Sequence, residues 1–391
     1  MKRRHFLSMT SGLLLPQMAY ASESNRKFLF VFCPGGWDQC YLFAPLFDSP
    51  FVDMEGQAQP ANVQGIAFVD SEDRPSVRSF FSQYGQQCCF INGFEARSVA
   101  HDVCLRLMST GSSLSNKDDW AAMIASQADS AVLMPSVHIS GPSFLHKYGH
   151  IRAQLGNSGQ LEELLQQHSS YDAQEDAWLK AILEERTGTQ MYTQARDLEE
   201  KLLELQNLDL ALSSAEDISG SIELATSLLA QGLARTVSIG YRGVRDLGWD
   251  THAGNHMQGW HFEELFATLE QAMTEIDLQV QPNGRPLSED LCIVLLSEMG
   301  RFPRRNFRDG KDHWTYTSCM LMGAGVRGGQ CVGAYDQYCM GHPIDLQTGQ
   351  ASVGGTPLEC GHIGATLLAL ADIDPRGFLD YDPITAVLAG Q

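Results

Sequence analysis

The sequence has no apolar run long enough to cross a bilayer, which takes about 20 residues, and it has few basic residues. Its 27 Lys and Arg stand against 47 Asp and Glu, so the formal net charge is −20 at pH 7. No stripe of Lys and Arg offsets this acidity, and an acidic surface repels nucleic acid and anionic lipid. We therefore expect neither a membrane span nor a nucleic-acid partner for this 391-residue chain.

The ten cysteines include no C-x-x-C pair, which argues against a zinc ribbon and against a thioredoxin-like site. Cys33, Cys292 and Cys319 lie in apolar, strand-like runs, so we expect them to be buried thiols. Cys331 and Cys339 are the pair that we expect to join most readily in an oxidising compartment.

Several catalytic signatures are also missing. The chain has no Walker lysine loop, no G-x-S-x-G elbow and no H-E-x-x-H helix. Residues 323–328 fit G-x-G-x-x-G after a strand-like run, but the residues that follow lack the helical period that a dinucleotide-binding fingerprint requires. We therefore expect no nicotinamide or flavin site.

The first 21 residues have the three parts of an export signal. Arg3 and Arg4 belong to a basic start, a short apolar stretch follows, and Ala19-Tyr20-Ala21 supplies a small-x-small cleavage pattern. Adjacent arginines before an apolar stretch are typical of the twin-arginine address, which a receptor reads and which is not an anchor. The sequence thus predicts recognition by the twin-arginine export machinery and a periplasmic or secreted protein.

The remaining residues, 22–391, alternate between strand-like and helical patterns. This alternation predicts one α/β domain with a mostly parallel sheet flanked by helices. Residues 157–234 are rich in Glu, Leu, Gln and Ala at helical spacing, and we interpret them as an insertion of two or three helices. The predicted strands are 27–33, 65–69, 88–91, 136–139, 236–241, 291–296 and 318–322, and the predicted helices are roughly 74–84, 101–109, 118–128, 256–278 and 361–371.

Acidic and histidine residues follow these strands repeatedly. Ligands in α/β proteins bind beyond the carboxyl ends of the strands, so these side chains are candidates for one site. Each alone has an ordinary structural explanation, as a turn cap or a hydrogen-bonded filler. Together they predict a divalent metal: mixed carboxylate and imidazole ligands suit zinc, manganese or iron, whereas calcium prefers all-oxygen shells. The candidates are Asp38, His101, Asp102, Asp250, His252, Glu298, Asp312, His313 and His362.

Five of these motifs, in this order, resemble a known family: Gly35-Gly36-Trp37-Asp38, Asp250-Thr251-His252, 297–301 (SEMGR), Asp312-His313 and 325–329 (GVRGG). With the twin-arginine start, they are similar to the secreted bacterial family called domain of unknown function 1501. That family resembles a branch of the alkaline phosphatase and sulfatase superfamily. The resemblance implies an alkaline-phosphatase-like fold over nearly the whole chain.

The resemblance also implies roles for these residues. One or two divalent metals, most simply zinc, with manganese, iron or calcium as alternatives, would lie at the carboxyl edge of the sheet. Asp38, Asp312 and His313 would hold one metal. Asp250, His252 and His362 would hold the other, with Glu298 as a ligand or as a partner of a ligand.

Members of the superfamily activate a Ser, Thr or formylglycine on the loop after an early strand. Here the position that matches is His101, with Ser98 nearby but out of register. No C-x-P-x-R sulfatase motif occurs in the chain. The resemblance implies His101 as nucleophile or general acid/base, while Arg301 or Arg97 would neutralise the anionic ester.

The sequence therefore favours a metal-dependent periplasmic hydrolase of a phosphate or sulfate ester, carried on a small molecule or on a polymer. The alternative is a non-catalytic relative that keeps the fold and the metal as a scaffold or associates with a cell-envelope polymer. Metal content without turnover of any ester would favour that alternative. A redox protein is the third possibility, and it would be indicated by a visible chromophore.

Overall fold

The computed structural model describes residues 26–155 and 217–390. The predicted signal, 1–21, and most of the predicted insertion, 157–234, lie outside these residues. The described end of the insertion is helical, from Ile218 to Ala230. Among the described helices, none is long and apolar enough to span a membrane.

Twelve strands and six α-helices are formed in the described parts of the chain. The strands are β1 Lys27–Phe32, β2 Gln59–Val63, β3 Ile66–Asp70, β4 Cys88–Glu95, β5 Ser136–His138, β6 Arg152–Gln154, β7 Thr236–Gly240, β8 Leu291–Leu296, β9 Gly300–Arg301, β10 His313–Trp314, β11 Tyr316–Gly323 and β12 Gln330–Val332. The α-helices are α1 Pro75–Tyr84, α2 His101–Thr110, α3 Trp120–Ala125, α4 Ile218–Ala230, α5 Met257–Leu278 and α6 Cys360–Leu370. Short 3-10 helices cover Gln39–Tyr41, Gly85–Gln87, Gly149–Ile151, Val244–Asp246, Leu287–Glu289, Pro375–Gly377 and Thr385–Val387.

Eight strands form one sheet in the order β12-β4-β11-β8-β1-β7-β5-β6. β1 lies in the middle and pairs in parallel with both β7 and β8. β11 is antiparallel to its neighbours β4 and β8, so β11 runs against the other seven strands. The predicted fold class, a mostly parallel sheet flanked by helices, is confirmed. This topology places the ends of β1, β4, β7 and β8, and the start of β11, at one edge of the sheet.

The sheet separates two hydrophobic cores because alternate residues of a strand point to opposite faces. Leu29 and Val31 of β1 pack into the core covered by α1, α4 and α5. Phe28 and Phe30 pack into the other core, under α2, α3 and α6. A strand buried on both faces gives an unbroken apolar run, which is why β1 and β8 are readable from the sequence.

Two details differ from the sequence prediction. Residues 66–70 do form a strand, but β3 pairs antiparallel with β2 in a separate two-stranded sheet. The expected pairing of Cys331 with Cys339 is wrong, since all ten cysteines are free thiols. Cys331 contacts Ala67 on β3, whereas the sulfur of Cys339 lies 3.8 Å from that of Cys40.

Candidate metal and catalytic site

Four loops at the carboxyl edge of the sheet bring acidic and histidine side chains together. Asp250 and His252 follow β7, and Glu298 follows β8. His101 is the first residue of α2, after β4, and His313 begins β10, just before β11. The sequence order of these residues says little about their distances, but the sheet topology makes them neighbours.

The Asp250 carboxylate is the centre of the cluster. Its Oδ1 lies 3.2 Å from Nε2 of His252 and 3.2 Å from Nε2 of His313. Its Oδ2 lies 3.4 Å from Nε2 of His101. The two imidazole nitrogens of His252 and His313 are only 2.9 Å apart. We call Asp250, His101, His252 and His313 the His/Asp cluster.

The second ring nitrogen of each histidine in the cluster has its own oxygen partner. Nδ1 of His313 lies 2.7 Å from the carbonyl oxygen of Val99, which can only accept. Nδ1 of His252 lies 3.2 Å from Oδ1 of Asp312. With Nδ1 held by an oxygen partner, Nε2 is the nitrogen of each ring that faces Asp250, where it can donate to the carboxylate when it carries a hydrogen or bind a cation when it does not.

Glu298 orients His101 in the same way. Its Oε1 lies 2.8 Å from Nδ1 of His101 and also accepts the backbone N–H of Gly35 at 2.7 Å. The Glu298 side chain is buried, with 1% exposure, while that of His101 is 35% exposed. Nε2 of His101 is itself buried and lies 3.4 Å from Oδ2 of Asp250, so this nitrogen points into the cluster.

The charges of the cluster shift two pKa values strongly. Hydrogen bonds with Asp250 and Glu298 raise the pKa of His101 to about 9. Partial burial by itself would raise the pKa of Asp250, but its hydrogen bonds with His101 and Arg301 hold that pKa well below the usual value. The site therefore attracts positive charge, as a proton or as a metal ion.

Arg301 stabilises this site through hydrogen bonds to Asp250 and to the surrounding loops. Its side chain is fully buried, and Nη2 donates to Oδ1 of Asp250 at 2.6 Å. The remaining N–H groups of its guanidinium donate to backbone carbonyls, among them those of Gly36 at 2.8 Å and Lys311 at 3.2 Å. The guanidinium thus fixes the loops around Asp250, and its contacts leave it turned away from solvent.

Two glycines let the loops approach closely enough to form the cluster. Gly35 has φ +122°, and a Cβ there would lie 2.7 Å from the backbone nitrogen of Asp250. Gly310 lies against the backbone of His252, where a Cβ would come within 2.1 Å of the carbonyl carbon. A side chain at either position would push Asp250 or His252 away from the other members.

Asp38 and His362, two further predicted ligands, make their contacts elsewhere. Asp38 is fully buried, and its Oδ2 lies 2.8 Å from Nζ of the equally buried Lys311. His362 forms a capping box with Glu359 at the start of α6 and lies against Tyr381, with ring centroids 5.0 Å apart. Asp312, the remaining one, orients His252 as described and is 64% exposed.

Ser98 and Arg97 also face away from the cluster. The hydroxyl oxygen of Ser98 accepts the backbone N–H of Ala100 at 3.2 Å, in the turn before α2. Arg97 forms an ion pair with Glu359 at 3.1 Å. Both side chains line a separate cavity of about 510 Å³ between α2 and α6.

Three residues of the site were not predicted from the sequence. The Val99 carbonyl and Asn306 hold the imidazoles in place: Asn306 Nδ2 donates to Oδ1 of Asp312 at 3.1 Å and to the carbonyl of His252 at 3.1 Å. Lys311 neutralises Asp38. A backbone carbonyl carries no sequence signal, whereas the lysine directly before Asp312-His313 is a visible candidate for a charge partner.

The cluster fits a divalent cation with mixed nitrogen and oxygen ligands. One ligand atom each from His101, Asp250 and His313 lie within 4.8 Å of one another. Neighbouring ligands around a tetrahedral zinc lie roughly 3.3 Å apart, given bonds of about 2.0–2.1 Å. The Nδ1 atoms of His252 and His313 are held by oxygen partners, which leaves Nε2 of both rings available to a cation, as a metal site requires of its imidazoles.

Comparisons with known structures give distant similarities. The chain is similar to the lipoteichoic acid synthase LtaP from Listeria monocytogenes, with 7% identity, a TM-score of 0.42, and coverage of 94% of this chain and 77% of that one. It is also similar to the PsFucS1 sulfatase from Pseudoalteromonas sp., with 11% identity, a TM-score of 0.43, and coverage of 93% and 72%. A phosphonate monoester hydrolase of Agrobacterium radiobacter gives 10% identity, a TM-score of 0.41, and coverage of 93% and 77%. Similarities this distant assign no activity or ligand to this chain.

The sequence itself gives a stronger comparison. No curated protein matches it at a significant level. The family described as "Protein of unknown function (DUF1501)" matches residues 152–380, which include Asp250, His252, Glu298, Asp312 and His313. This match covers more than half of the chain, and it confirms the resemblance predicted from the ordered motifs. The chain belongs to the DUF1501 family.

Proposed function

We propose that the protein is a metal-dependent hydrolase of a phosphate or sulfate ester. The observation that carries the proposal is the convergence of two imidazole Nε2 atoms, from His252 and His313, on one carboxylate oxygen of Asp250. These three residues would hold the cation, with Asp312 and the Val99 carbonyl fixing the two rings. A divalent metal bound there supplies Lewis acidity to an ester oxygen and lowers the pKa of water.

His101 has the geometry of a general acid/base. Glu298, buried behind it, orients the ring through Nδ1 and leaves Nε2 directed at the cluster. In many active sites a catalytic imidazole is oriented by a carboxylate on its other nitrogen, as Glu298 orients His101 here. Because its pKa is raised to about 9, His101 is an imidazolium at neutral pH, and Glu298 stabilises this form. It can donate its proton to the leaving-group oxygen, and the neutral ring then accepts the proton that the attacking water releases.

The start of α2 offers a place for the anionic ester. The first intrahelical hydrogen bond of α2 joins Cys104 N to Ala100 O at 2.9 Å, so the N–H groups of Asp102 and Val103 precede the hydrogen-bond ladder. Free N–H groups and the partial positive charge of a helix start favour an anionic oxygen. His101 belongs to the same turn. The acid/base group and the N–H groups that would contact the anionic ester are therefore neighbours.

Replacing His101 with Ala tests this role. We expect turnover of an aryl phosphate or aryl sulfate to fall by roughly 100-fold or more, while metal content and melting temperature stay near wild type. Ser98→Ala is the matched control, because Ser98 lines a different cavity, and it should keep its activity. A variant of His101 that loses its metal would show that this residue is a ligand, and inactivity of Ser98→Ala would place the nucleophile there.

A non-catalytic metal-binding protein is the second candidate. It is favoured by one observation: the His/Asp cluster contains no hydroxyl or thiol, and Ser98 faces elsewhere. The cluster therefore offers no serine, threonine or cysteine nucleophile for a covalent intermediate. A fully metallated protein that turns over no member of a phosphate, phosphonate and sulfate ester panel would favour this second function.

We also propose a periplasmic location, reached by twin-arginine export. Lysines at positions 3 and 4 in place of Arg3 and Arg4 should leave the precursor, signal still attached, in the cytoplasm, because the receptor reads the arginine pair. Fractionation of cells followed by immunoblotting measures this. Normal processing and periplasmic accumulation of the double variant would contradict the twin-arginine assignment.

A further inference from the structure

A patch of partly exposed aromatic rings borders the His/Asp cluster. Phe51, Phe302 and Tyr338 are 37%, 39% and 46% exposed, and Trp314 is half-buried against Phe302. The ring centroids of Phe51 and Tyr338 lie 4.5 Å apart, and those of Phe302 and Trp314 lie 5.1 Å apart. We call these four residues the aromatic platform.

The platform is joined to the cluster through Asp312. Trp314 follows His313 on β10, which pairs with Gly300–Arg301 of β9, and neighbouring residues of a strand point to opposite faces. Phe302 follows β9, and its N–H donates to the carbonyl of Asp312 at 2.7 Å. The carboxylate of Asp312 in turn lies 3.2 Å from Nδ1 of His252, so the loops of the platform and of the cluster are neighbours.

Hydrogen bonds hold the platform rigid. Trp314 Nε1 donates to the carbonyl of Cys339 at 2.8 Å, and Ser49 Oγ donates to the carbonyl of Gln337 at 2.5 Å. The N–H of Asp53 donates to the carbonyl of Pro303 at 2.8 Å. The three loops that carry the rings are thus joined to one another, so little conformational entropy would be lost when a ligand binds.

Three arginines follow Phe302 closely in the sequence, in a protein with net charge −20. Residues 304–308 read Arg-Arg-Asn-Phe-Arg. Arg304 is exposed and donates to the carbonyl of Pro50, next to Phe51, while Arg305 pairs with Asp309 at 2.8 Å. Arg308 is exposed as well. The net charge of the whole chain does not reveal this local group of arginines.

We propose that the aromatic platform and its arginines bind an anionic polysaccharide, which carries the ester that the cluster hydrolyses. The apolar faces of sugar rings pack on aromatic rings, which offer large, rigid apolar surfaces with little entropy to lose. Guanidinium groups pair with sulfate, phosphate or carboxylate on the polymer. A single polymer strand can contact the patch alone. An anionic bilayer is a wide surface, so it would also face, and be repelled by, the rest of this acidic protein.

This inference extends the proposed function, but binding is measured separately from hydrolysis. The probe is immobilised dextran sulfate, compared with neutral dextran. We expect the wild type to bind dextran sulfate and not dextran, more weakly as salt rises. Phe51→Ala with Tyr338→Ala, and Arg304→Gln with Arg308→Gln, should each weaken binding about tenfold or more. Metal content, melting temperature and turnover of a small ester should be unchanged.

The matched control lies at the opposite edge of the sheet. Leu278→Ala with Arg285→Gln removes a side chain that is 77% exposed and an exposed arginine near the start of β8. This variant should bind dextran sulfate like the wild type. Equal binding by platform and control variants, or equal binding to neutral dextran, would overturn the proposal. Binding to phosphatidylglycerol vesicles but not to dextran sulfate would overturn it in favour of a lipid surface.

Discussion

Asp250→Asn should abolish metal binding, because Asp250 is the carboxylate on which three imidazoles converge. Asparagine has the same shape but no charge, and Arg301 would then donate to a neutral amide in place of its carboxylate partner. The affinity for zinc should fall further than the roughly 10–100-fold that is typical when a residue that only orients a ligand is lost. Inductively coupled plasma mass spectrometry after gel filtration measures the metal content.

Two variants calibrate this expectation. Asp312→Ala removes the partner of His252 Nδ1, so its zinc affinity should fall by roughly 10–100-fold and no more. Asp246→Asn changes an exposed carboxylate four positions before Asp250 and should keep full metal content. Zinc should also raise the melting temperature of the wild type, since it binds only the folded chain, and it should not do so for Asp250→Asn. Full metal content in Asp250→Asn would show that the cation binds elsewhere.

Much of the fold could be predicted because its signals are local. β1 and β8 are unbroken apolar runs, as central strands of a parallel sheet must be. The 22-residue helix α5 has its apolar residues at helical spacing, which locates it to within one residue. The pairing of 66–70 with 59–63 could not be predicted, since β2 is polar and largely exposed, and the apolar pattern of β3 suits either type of sheet.

The cluster could be predicted only in part. Asp250, His252 and His313 follow or precede apolar strands, so their edge of the sheet is predictable from the topology rule. The contact of His101 with Glu298 depends on β4 and β8 lying on either side of β11, which no local pattern shows. Asp38 follows β1, which is where a metal ligand is expected. Its partner in the fold is Lys311, which lies 273 positions later in the sequence, so no local pattern reveals the ion pair.

The pair of Asp38 and Lys311 connects the stability of the protein to its site. Both side chains are fully buried and 2.8 Å apart, and Lys311 directly precedes Asp312 and His313 in the chain. Burial alone would lower the pKa of Lys311, but the charge of Asp38 raises it above the ordinary value. Asp38 also accepts hydrogen bonds from Asn255 Nδ2 at 2.7 Å and from Cys40 N at 2.9 Å. The carboxylate is thus fully partnered, with the Lys311 ammonium beside it.

Lys311→Met should therefore destabilise the protein more than any surface change. Methionine keeps most of the volume but leaves the Asp38 charge buried without a counter-ion, which costs about 3–5 kcal/mol of the free energy of unfolding. The melting temperature should fall by on the order of 10 °C, measured by differential scanning fluorimetry with EDTA present so that metal does not contribute.

The double variant Asp38→Asn with Lys311→Met separates charge from packing. It removes both charges, and replacing a buried ion pair by neutral groups is often close to neutral for stability. We expect it to recover most of the melting temperature lost in Lys311→Met alone. Arg285→Gln, at an exposed ion pair with Glu289, should change the melting temperature little, as exposed pairs contribute about 0–1 kcal/mol. If the double variant melts as low as Lys311→Met, then packing of the lysine chain, and not its charge, stabilises the loop that carries His313.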